Sequence, residues 1–160
     1  MGVEKRIATK GIAIAPYPIE KVYEFLYKEE SLAKMNSQIV EIKVLYEKKD
    51  VFKVNYQQYK GIWPVANRDF VSVGISVKES DTKIYIGTKG CKYPHPEVNK
   101  VVRGEVYIGG YIIEKVDENN TQITYISDAD LKGNIPQMVQ NQLAAKQGEV
   151  AAKVGEVMKK

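Results

Sequence analysis

Residues able to perform nucleophilic or metal catalysis are scarce in this chain of 160 residues. His95 is the one histidine and lies between two prolines, and Cys91 is the one cysteine. Zinc sites and catalytic triads need several such groups to converge, and the Gly-x-Ser-x-Gly pattern is also missing. Gly109 and Gly110 are followed by more strand-like sequence, which does not fit a phosphate-binding loop. The sequence therefore predicts no metal, no cofactor and no nucleophilic catalysis.

Acid–base chemistry has three candidate carboxylates, Asp69, Glu105 and Asp128, and each is expected to form a structural ion pair. Arg68 directly precedes Asp69. It either forms a local ion pair with Asp69 or faces the polar group of a ligand, and the sequence leaves both open. A buried arginine without a charged partner is costly, so a ligand-free Arg68 is expected to have a carboxylate nearby.

Tyrosine is the residue type here that is best suited to binding. The chain has 11 tyrosines against 3 phenylalanines, which favours walls that are apolar yet able to form hydrogen bonds. The tyrosines of strand-like segments include Tyr56, Tyr59, Tyr107, Tyr111 and Tyr125. They either line an internal cavity or point outward from a half-exposed sheet, and alternation alone does not decide between these arrangements.

A long amphipathic segment at the end of the chain would position these residues. After Gly133, Asn134 can cap a helix and Pro136 fits its first turn. Aliphatic residues then recur at helical spacing from Ile135 to Val157. A single helix of about 24 residues would be about 36 Å long, enough to cross a small domain.

Nearly everything before that helix alternates as antiparallel strands do. Two short helical segments follow the first strand. Residues 90–99 contain two prolines and no periodicity, which indicates a long loop, and Gly109-Gly110 indicates a bulge. The predicted fold class is α+β, with a curved antiparallel sheet of about seven strands wrapped round the last helix. Such a fold encloses a cavity suited to a small apolar ligand, although an ordinary helix packed on a sheet would give the same pattern.

The bulk properties indicate one domain, residues 1–160. The net charge of +4 is spread along the chain, which fits weak attraction to an anionic membrane surface better than nucleic-acid binding. A lone cysteine excludes an internal disulfide and is typical of a reducing compartment. Charged residues follow Met1 closely and no apolar run is long enough to span a bilayer, so a cytoplasmic protein is expected.

The order of these segments and five local matches resemble the START family of lipid-transfer domains, in the Bet v 1-like helix-grip superfamily. The matches are EIKVL (41–45), WPVANRDFVSV (63–73), VVRGEVYIGGYIIE (101–114), ISDADLKGNIP (126–136), and the loop 90–99 at the place of the family's gating loop. They cover nearly the whole chain from Ile7 onward. The resemblance implies a helix-grip fold and non-enzymatic intracellular binding and transfer of a lipid or similar hydrophobic ligand.

Three departures from the family's pattern bear on specificity. The chain has no counterpart of the usual N-terminal helix and strands, and Asn134 stands where many relatives have tryptophan. Sterol-carrying members place a buried acid and base across the cavity, and those positions fall near Asn55 and on Gly74, so the charge pair is missing. The resemblance turns Gly74 inward, whereas hydrophobicity would turn Val71 and Val73 inward, and this conflict stays open.

The expected partners are a lipid or other apolar small molecule, a membrane surface in transient contact, and no nucleic acid. Two other functions stay open: a cyclase-like or hydrolase-like enzyme that uses the cavity, and an interaction module, such as a homodimer, that uses an uncovered sheet face. The residues expected to contact the ligand are Trp63, Arg68, Val73, Ile86, Tyr107, Tyr125, Met138, Val139 and Leu143.

A closed cavity must open before a ligand can pass. The two candidate gates are the loop 90–99 and the last helix, in which Gly148 and Gly155 each cost about 1 kcal/mol relative to alanine. Alanine at both positions is predicted to raise thermal stability and slow ligand exchange. The opposing interpretation is that these glycines allow the helix to approach the sheet closely, in which case alanine would clash.

Overall fold

The computed structural model describes residues 6–160, in which eight strands and four helices are present. The prolines at positions 16 and 18 end the first strand and begin the first helix, whose buried face consists of Ile19, Val22 and Leu26. The elements in chain order are β1 (Arg6–Ala15), α1 (Ile19–Leu26), α2 (Glu29–Met35), β2 (Ile39–Lys48), β3 (Phe52–Tyr59), β4 (Arg68–Ser80), β5 (Lys83–Gly90), β6 (Val102–Arg103), β7 (Glu105–Lys115), β8 (Thr121–Asp130), α3 (Gln137–Gly148) and α4 (Val150–Val157).

All the long strands form one antiparallel sheet in the order β1-β8-β7-β5-β4-β3-β2, with β1 and β2 at its edges. The two-residue β6 lies off this path and pairs in parallel with the start of β4. The predicted α+β architecture, a curved antiparallel sheet around C-terminal helices, is confirmed. We call the sheet face that the helices cover the inner face, and the opposite face the outer face.

The predicted bulge at Gly109-Gly110 is displaced along β7. The register shift between β7 and β8 lies between Val106 and Ile108, whereas Gly109 and Gly110 pair regularly with β5. Gly110 is needed for another reason: its φ is +129°, and a Cβ there would lie 1.9 Å from the carbonyl oxygen of Ile86.

The C-terminal helix consists of two segments that meet at Glu149, not of the single helix predicted from its periodicity. Glu149 keeps helical dihedral angles (φ −77°, ψ −14°), so the interruption is local. Gly148, a weak helix former, directly precedes it. At this point the helix lies so close to β1 that a Cβ on Gly11 would come within 2.3 Å of the Gly148 carbonyl oxygen.

The hydrophobic core lies where α1, α2 and α4 cover the inner face of β1, β5, β7 and β8. The last helix buries Val150, Ala151, Val154 and Gly155, whereas α3 buries only Val139. The C-terminal part of the chain is therefore anchored by α4, and α3 covers the sheet with little apolar contact of its own. The buried residues of this core are Ala15, Ile19, Val22, Leu26, Met35, Ile84, Tyr111, Ile113, Ile123, Tyr125, Val150, Ala151 and Val154.

Candidate functional site

A cavity of about 190 Å³ lies between the inner face of the sheet, the junction of α1 with α2, and α3. A cavity that holds one water needs roughly 10–15 Å³ by a comparable measure, so this cavity has more than ten times the volume needed for one water. Strand β3 runs along the cavity from Lys53 to Tyr59, a span of about 20 Å at roughly 3.3 Å per residue. Because Tyr59 pairs with Arg68 in β4, we call the two ends of the cavity the Lys53 end and the Arg68 end.

A row of small residues across the sheet explains why this space exists. Gly74, Thr88, Gly109 and Ser127 are direct neighbours on β4, β5, β7 and β8, and all four line the cavity. Directly opposed residues in antiparallel strands point to the same face. Two glycines and two small hydroxyl side chains cannot fill the volume above the sheet, so the cavity is a consequence of their register.

The open conflict about β4 is settled by the same row. Gly74 faces the cavity, with Phe70 and Ser72 on the same side, as the resemblance implied. Val73 and Val77 therefore face outward, and Val77 is half exposed. The more apolar alternation of β4 belongs to its outer face.

Four of the nine predicted ligand contacts are brought together around the cavity: Arg68, Ile86, Tyr125 and Leu143. Ile86 and Tyr125 project from β5 and β8 toward α3, which contributes Leu143. Arg68 lies at the start of β4, at the end of the cavity that is named for it.

The structure places the other five predicted residues outside the cavity lining. Trp63 is 90% exposed in the loop before β4, and Met138 is 71% exposed on α3. Val73 is on the outer face because its neighbours Ser72 and Gly74 face inward. Tyr107 lies at the bulge of β7, where the Arg6 guanidinium covers its ring at 4.7 Å. Val139, in the first turn of α3, is buried but does not line the cavity.

Sequence reasoning missed several polar residues that line the cavity. Tyr111 pairs directly with Tyr125 across β7 and β8. The alternation of side chains along β7 was the available signal for Tyr111, but it assigns a face only when the position of the β7 bulge is known. Whether Tyr59 and Tyr111 face the cavity was open from the sequence alone, and both line it. The missed residues with hydrogen-bonding side chains are Tyr27, Lys28, Glu29, Gln38, Asp50, Lys53, Asn55, Gln57, Lys60, Ser72, Ser76, Thr88, Ser127 and Gln147.

Three tyrosines that line the cavity form a tyrosine cluster, which we define as Tyr59, Tyr111 and Tyr125. The rings of Tyr111 and Tyr125 are 5.2 Å apart. The Tyr125 hydroxyl donates to Gln147 Oε1 at 2.9 Å, and the Tyr59 hydroxyl donates to a glutamine of its own strand. Burial raises the pKa of Tyr125 to about 12, and burial together with neighbouring tyrosines raises the pKa of Tyr59 and Tyr111 further. The cluster is therefore uncharged at neutral pH.

Arg68 is buried and bound by backbone carbonyls, not by a carboxylate. Its Nε and Nη2 donate to the carbonyl oxygens of Leu131 and Lys132, both at 3.0 Å, and Nη1 donates to Ala66. Burial lowers the pKa of this guanidinium, although arginine stays charged in proteins. Of the two alternatives for Arg68, the local pair with Asp69 is not formed, because the two side chains leave β4 on opposite faces. Within residues 6–160 no carboxylate is paired with Arg68, so the expectation of an acidic neighbour is also wrong.

An ion pair closes the Lys53 end of the cavity. Lys53 Nζ lies 3.0 Å from Glu29 Oε1, 3.4 Å from the Tyr27 carbonyl oxygen and 3.9 Å from the centre of the Tyr27 ring. Burial lowers the pKa of Lys53, but the Glu29 carboxylate more than compensates and the net shift is upward. These contacts join β3 to the junction between α1 and α2.

The three candidate acid–base carboxylates all have cationic partners. Asp69 is almost fully buried and accepts two bonds from Arg103, from Nε at 2.7 Å and Nη2 at 3.1 Å. Asp128 accepts two bonds from Arg6. Glu105 Oε2 lies 3.6 Å from Lys132 Nζ. None of the three lines the cavity.

The loop 90–99 packs on the outer face of the sheet. Cys91 and Tyr93 cover a small second core of Val54, Tyr56 and Val71. The His95 ring lies 4.2 Å from the Tyr56 ring, where burial and nearby cations lower the pKa of the imidazole. Gly90 is the last residue of β5. None of the residues 90–99 lines the cavity.

Metal-binding clusters and membrane-spanning helices are both absent from the described part of the chain. Residues 6–160 contain no group of three or more histidine, cysteine, aspartate or glutamate side chains that could hold a metal ion. Over the same residues, no helix has both the length and the apolar character needed to cross a membrane.

Comparison with known proteins gives a family model and distant relatives. The START domain model matches residues 5–154. The human mitochondrial steroidogenic acute regulatory protein is 28% identical over 135 residues, which are 81% of this chain and 47% of that protein. The chain thus spans about half the length of this curated relative.

Solved structures share the fold at low sequence identity. Human StAR-related lipid transfer protein 5 superposes with a TM-score of 0.83 at 19% identity, covering 94% of this chain and 74% of that one. The Zhui aromatase/cyclase from Streptomyces sp. R1128 superposes with a TM-score of 0.64 at 14% identity, covering 96% and 94%.

Proposed function

The chain belongs to the START domain family, and on that premise we propose that it binds a lipid or similar apolar molecule in the cavity and carries it without chemical change. The observation that carries this proposal is the cavity itself, which is mostly apolar and has uncharged hydrogen-bonding groups along its walls. Sites for small molecules combine these two features. The cavity also lies under α3, the helix that has the fewest buried residues holding it.

The distribution of charged groups supports a carrier over an enzyme. A cavity enzyme needs an acid or base inside, with a pKa tuned to its reaction. The carboxylate that lines the cavity at its Lys53 end, Glu29, is neutralised by Lys53. Asp50 is exposed at the rim, and His95 is on the outer face. The likeness to the aromatase/cyclase concerns the fold and supplies none of these groups.

The first experiment is native mass spectrometry of the purified protein before and after incubation with mixed-lipid vesicles. We expect an adduct with the mass of one lipid, and transfer of a fluorescent lipid between two vesicle populations. Protein that stays ligand-free and takes up no lipid or fluorescent acyl probe would refute the proposal.

Two glycine variants test whether the cavity is the binding site. Leucine at Gly74 would project into the cavity, because a Cβ there meets only Thr88 Cγ2 at 3.3 Å and Asn55 Nδ2 and the Gly87 oxygen at 3.8 Å. Gly87 is one strand away on the outer face, with nothing within 4 Å of a built Cβ. We expect Gly74→Leu to abolish the lipid adduct and Gly87→Leu to keep it. An adduct that survives Gly74→Leu would place the ligand elsewhere.

Self-association through β1 is a second proposal with a specific observation behind it. Ile12 and Ile14 are more than half exposed on this edge strand, and edge strands with apolar side chains readily pair with other chains. A homodimer would cover them. Light scattering that shows a strict monomer at high protein concentration would exclude this proposal.

A further inference from the structure

The Tyr111 hydroxyl is a buried polar group without a partner. The residue is 8% exposed, lines the cavity, and its hydroxyl forms no hydrogen bond with any described residue. Its ring packs against Tyr125, so the side chain cannot turn to solvent without breaking the core. An unpaired buried hydroxyl destabilises a protein, and such groups are rare in native structures.

The other two members of the tyrosine cluster are already satisfied. Gln147 of α3 accepts from Tyr125, and Gln57 accepts from Tyr59. The cations at the two ends of the cavity are also engaged, Arg68 by three carbonyl oxygens and Lys53 by Glu29. Tyr111 is thus the member of the cluster whose hydrogen-bonding capacity is free for a ligand.

We propose that the ligand has an uncharged hydroxyl, carbonyl or amide group and that the Tyr111 hydroxyl binds it inside the tyrosine cluster. This inference rests on the proposed lipid binding and specifies the class of lipid. A phenol can donate or accept, so any of these three groups satisfies it. The apolar part of the ligand then lies along the row of Gly74, Thr88 and Gly109.

The surroundings of the cluster disfavour the two alternative ligand classes. A charged group would lose its hydration among neutral phenols and amides. The cation nearest in register, Arg68, which pairs with Tyr59, already donates to three carbonyl oxygens. A pure hydrocarbon would fill the space but would leave the Tyr111 hydroxyl unpaired. A neutral polar group meets both conditions.

The test compares wild type and Tyr111→Phe with three ligands that share a twelve-carbon chain: dodecanol, dodecane and dodecanoate. Affinity is measured by displacement of 1-anilinonaphthalene-8-sulfonate. We expect the variant to bind dodecanol about fivefold more weakly, as for loss of one neutral hydrogen bond, and to bind dodecane unchanged. For each ligand, the affinity of the variant is divided by that of wild type, so that differences in hydrophobicity between the ligands cancel.

A second readout has the opposite sign. Without ligand, Tyr111→Phe removes the unpaired hydroxyl and should raise the melting temperature. The matched control is Tyr85→Phe, whose hydroxyl lies on the outer face 3.5 Å from Glu79 Oε2 and whose loss should change neither dodecanol affinity nor melting temperature appreciably. In wild type labelled with ¹³Cζ-tyrosine, the Tyr111 resonance should shift with dodecanol and much less with dodecane.

The outcomes separate this inference from the proposed function. If dodecane and dodecanol both bind and the variant weakens neither, the cavity takes apolar ligands but Tyr111 does not bind their polar group, and the inference is overturned. Dodecanoate binding tighter than dodecanol also overturns it and assigns the polar group to Arg68 or Lys53. If none of the three ligands binds wild type and vesicle lipids are not taken up, the proposed function fails as well.

Discussion

At the scale of single residues, the two faces of the sheet handle charge differently. Asp69 and Asp128 on the outer face have arginine partners, whereas the cavity holds neutral groups along most of its length. Charged groups lie toward the ends of the cavity, where Lys53 pairs with Glu29 and Arg68 has no carboxylate partner among the described residues. The three carbonyl partners of Arg68 come from the loop before β4 and the loop after β8. The Arg68 side chain therefore joins these two loops, and its burial has a structural cause before any ligand is considered.

The Arg6–Asp128 pair gives a pH-dependent contribution to stability. The hydrogen bonds from Arg6 lower the pKa of the Asp128 carboxyl below its ordinary value. A carboxyl whose pKa is lower in the folded state stabilises the protein above its unfolded pKa of about 3.9, and this stabilisation is lost as pH falls through the folded pKa. Since Arg6 is half exposed, solvent screens the pair and its contribution at pH 7 is at most about 1 kcal/mol.

We therefore predict that Asp128→Asn lowers the free energy of unfolding at pH 7 and that the difference from wild type shrinks below about pH 4. Urea unfolding at several pH values measures it. The control is Asp81→Asn, which removes a similar pair with Lys78 at a fully exposed site and should have a smaller effect. A difference for Asp128→Asn that stays constant down to pH 2 would contradict the assignment to this charge.

At the scale of secondary-structure elements, glycines on two sides of one contact have opposite roles. Nothing lies within 4 Å of a Cβ built on Gly148, so alanine fits there. A Cβ on Gly11, across the contact in β1, would meet the Gly148 carbonyl oxygen at 2.3 Å. Gly155 is intermediate, because its Cβ would touch Pro16 Cδ at 3.3 Å. The close approach of the helix to the sheet therefore depends mainly on Gly11, which the sequence did not single out.

We predict that Gly148→Ala raises the free energy of unfolding by up to about 1 kcal/mol and that Gly11→Ala lowers it by about 1–3 kcal/mol because α3 must move off β1. Chemical unfolding of the two single variants measures both. Gly155→Ala should have little effect, since a small shift of Pro16 relieves the contact. A stable Gly11→Ala together with a destabilised Gly148→Ala would show that this contact is assigned to the wrong residue.

The sequence was sufficient for the fold because alternation, turn residues and the family motifs agreed from Ile7 to the last helix. It was insufficient for the site because the inward face of a strand depends on each bulge that precedes it. The shift between Val106 and Ile108 reassigns Tyr107 and Tyr111, and no propensity indicates it. Hydrophobicity was misleading in β4, whose small inner residues create the cavity and whose valines face outward.

At the scale of the whole molecule, the two ends of the cavity differ. The Lys53 end is held by an ion pair, a carbonyl contact and an aromatic ring. The Arg68 end is bordered by a loop in which Gly61, Val65 and Ala66 line the cavity. A turn in this loop, closed by the Val65 N–H on the Ile62 carbonyl oxygen at 2.8 Å, holds Trp63 almost fully exposed. An exposed tryptophan in the loop that borders the cavity suits a membrane interface.

We predict that Trp63→Ala weakens binding to anionic vesicles by about tenfold, as expected from the loss of one large side chain at the interface, and slows lipid transfer. Vesicle sedimentation and a transfer assay measure the two effects, with Val77→Ala as the control for an exposed apolar residue on the outer face of β4. Because Trp63 does not line the cavity, the lipid adduct in mass spectrometry should be unchanged. Unaltered sedimentation of Trp63→Ala would remove this loop from the contact with the membrane.

The unequal anchoring of α3 and α4 has a consequence for folding. With four buried residues, α4 completes the core whether or not the cavity is filled, but α3 buries only Val139 and contributes Leu143 and Gln147 to the cavity wall. A bound lipid would supply the apolar contacts that α3 lacks, and so would replace part of the hydrophobic core. If the domain carries a lipid as proposed, the folding of α3 would be coupled to its cargo: loading the domain and completing its core would be the same event, and release would return α3 to a locally unstable state.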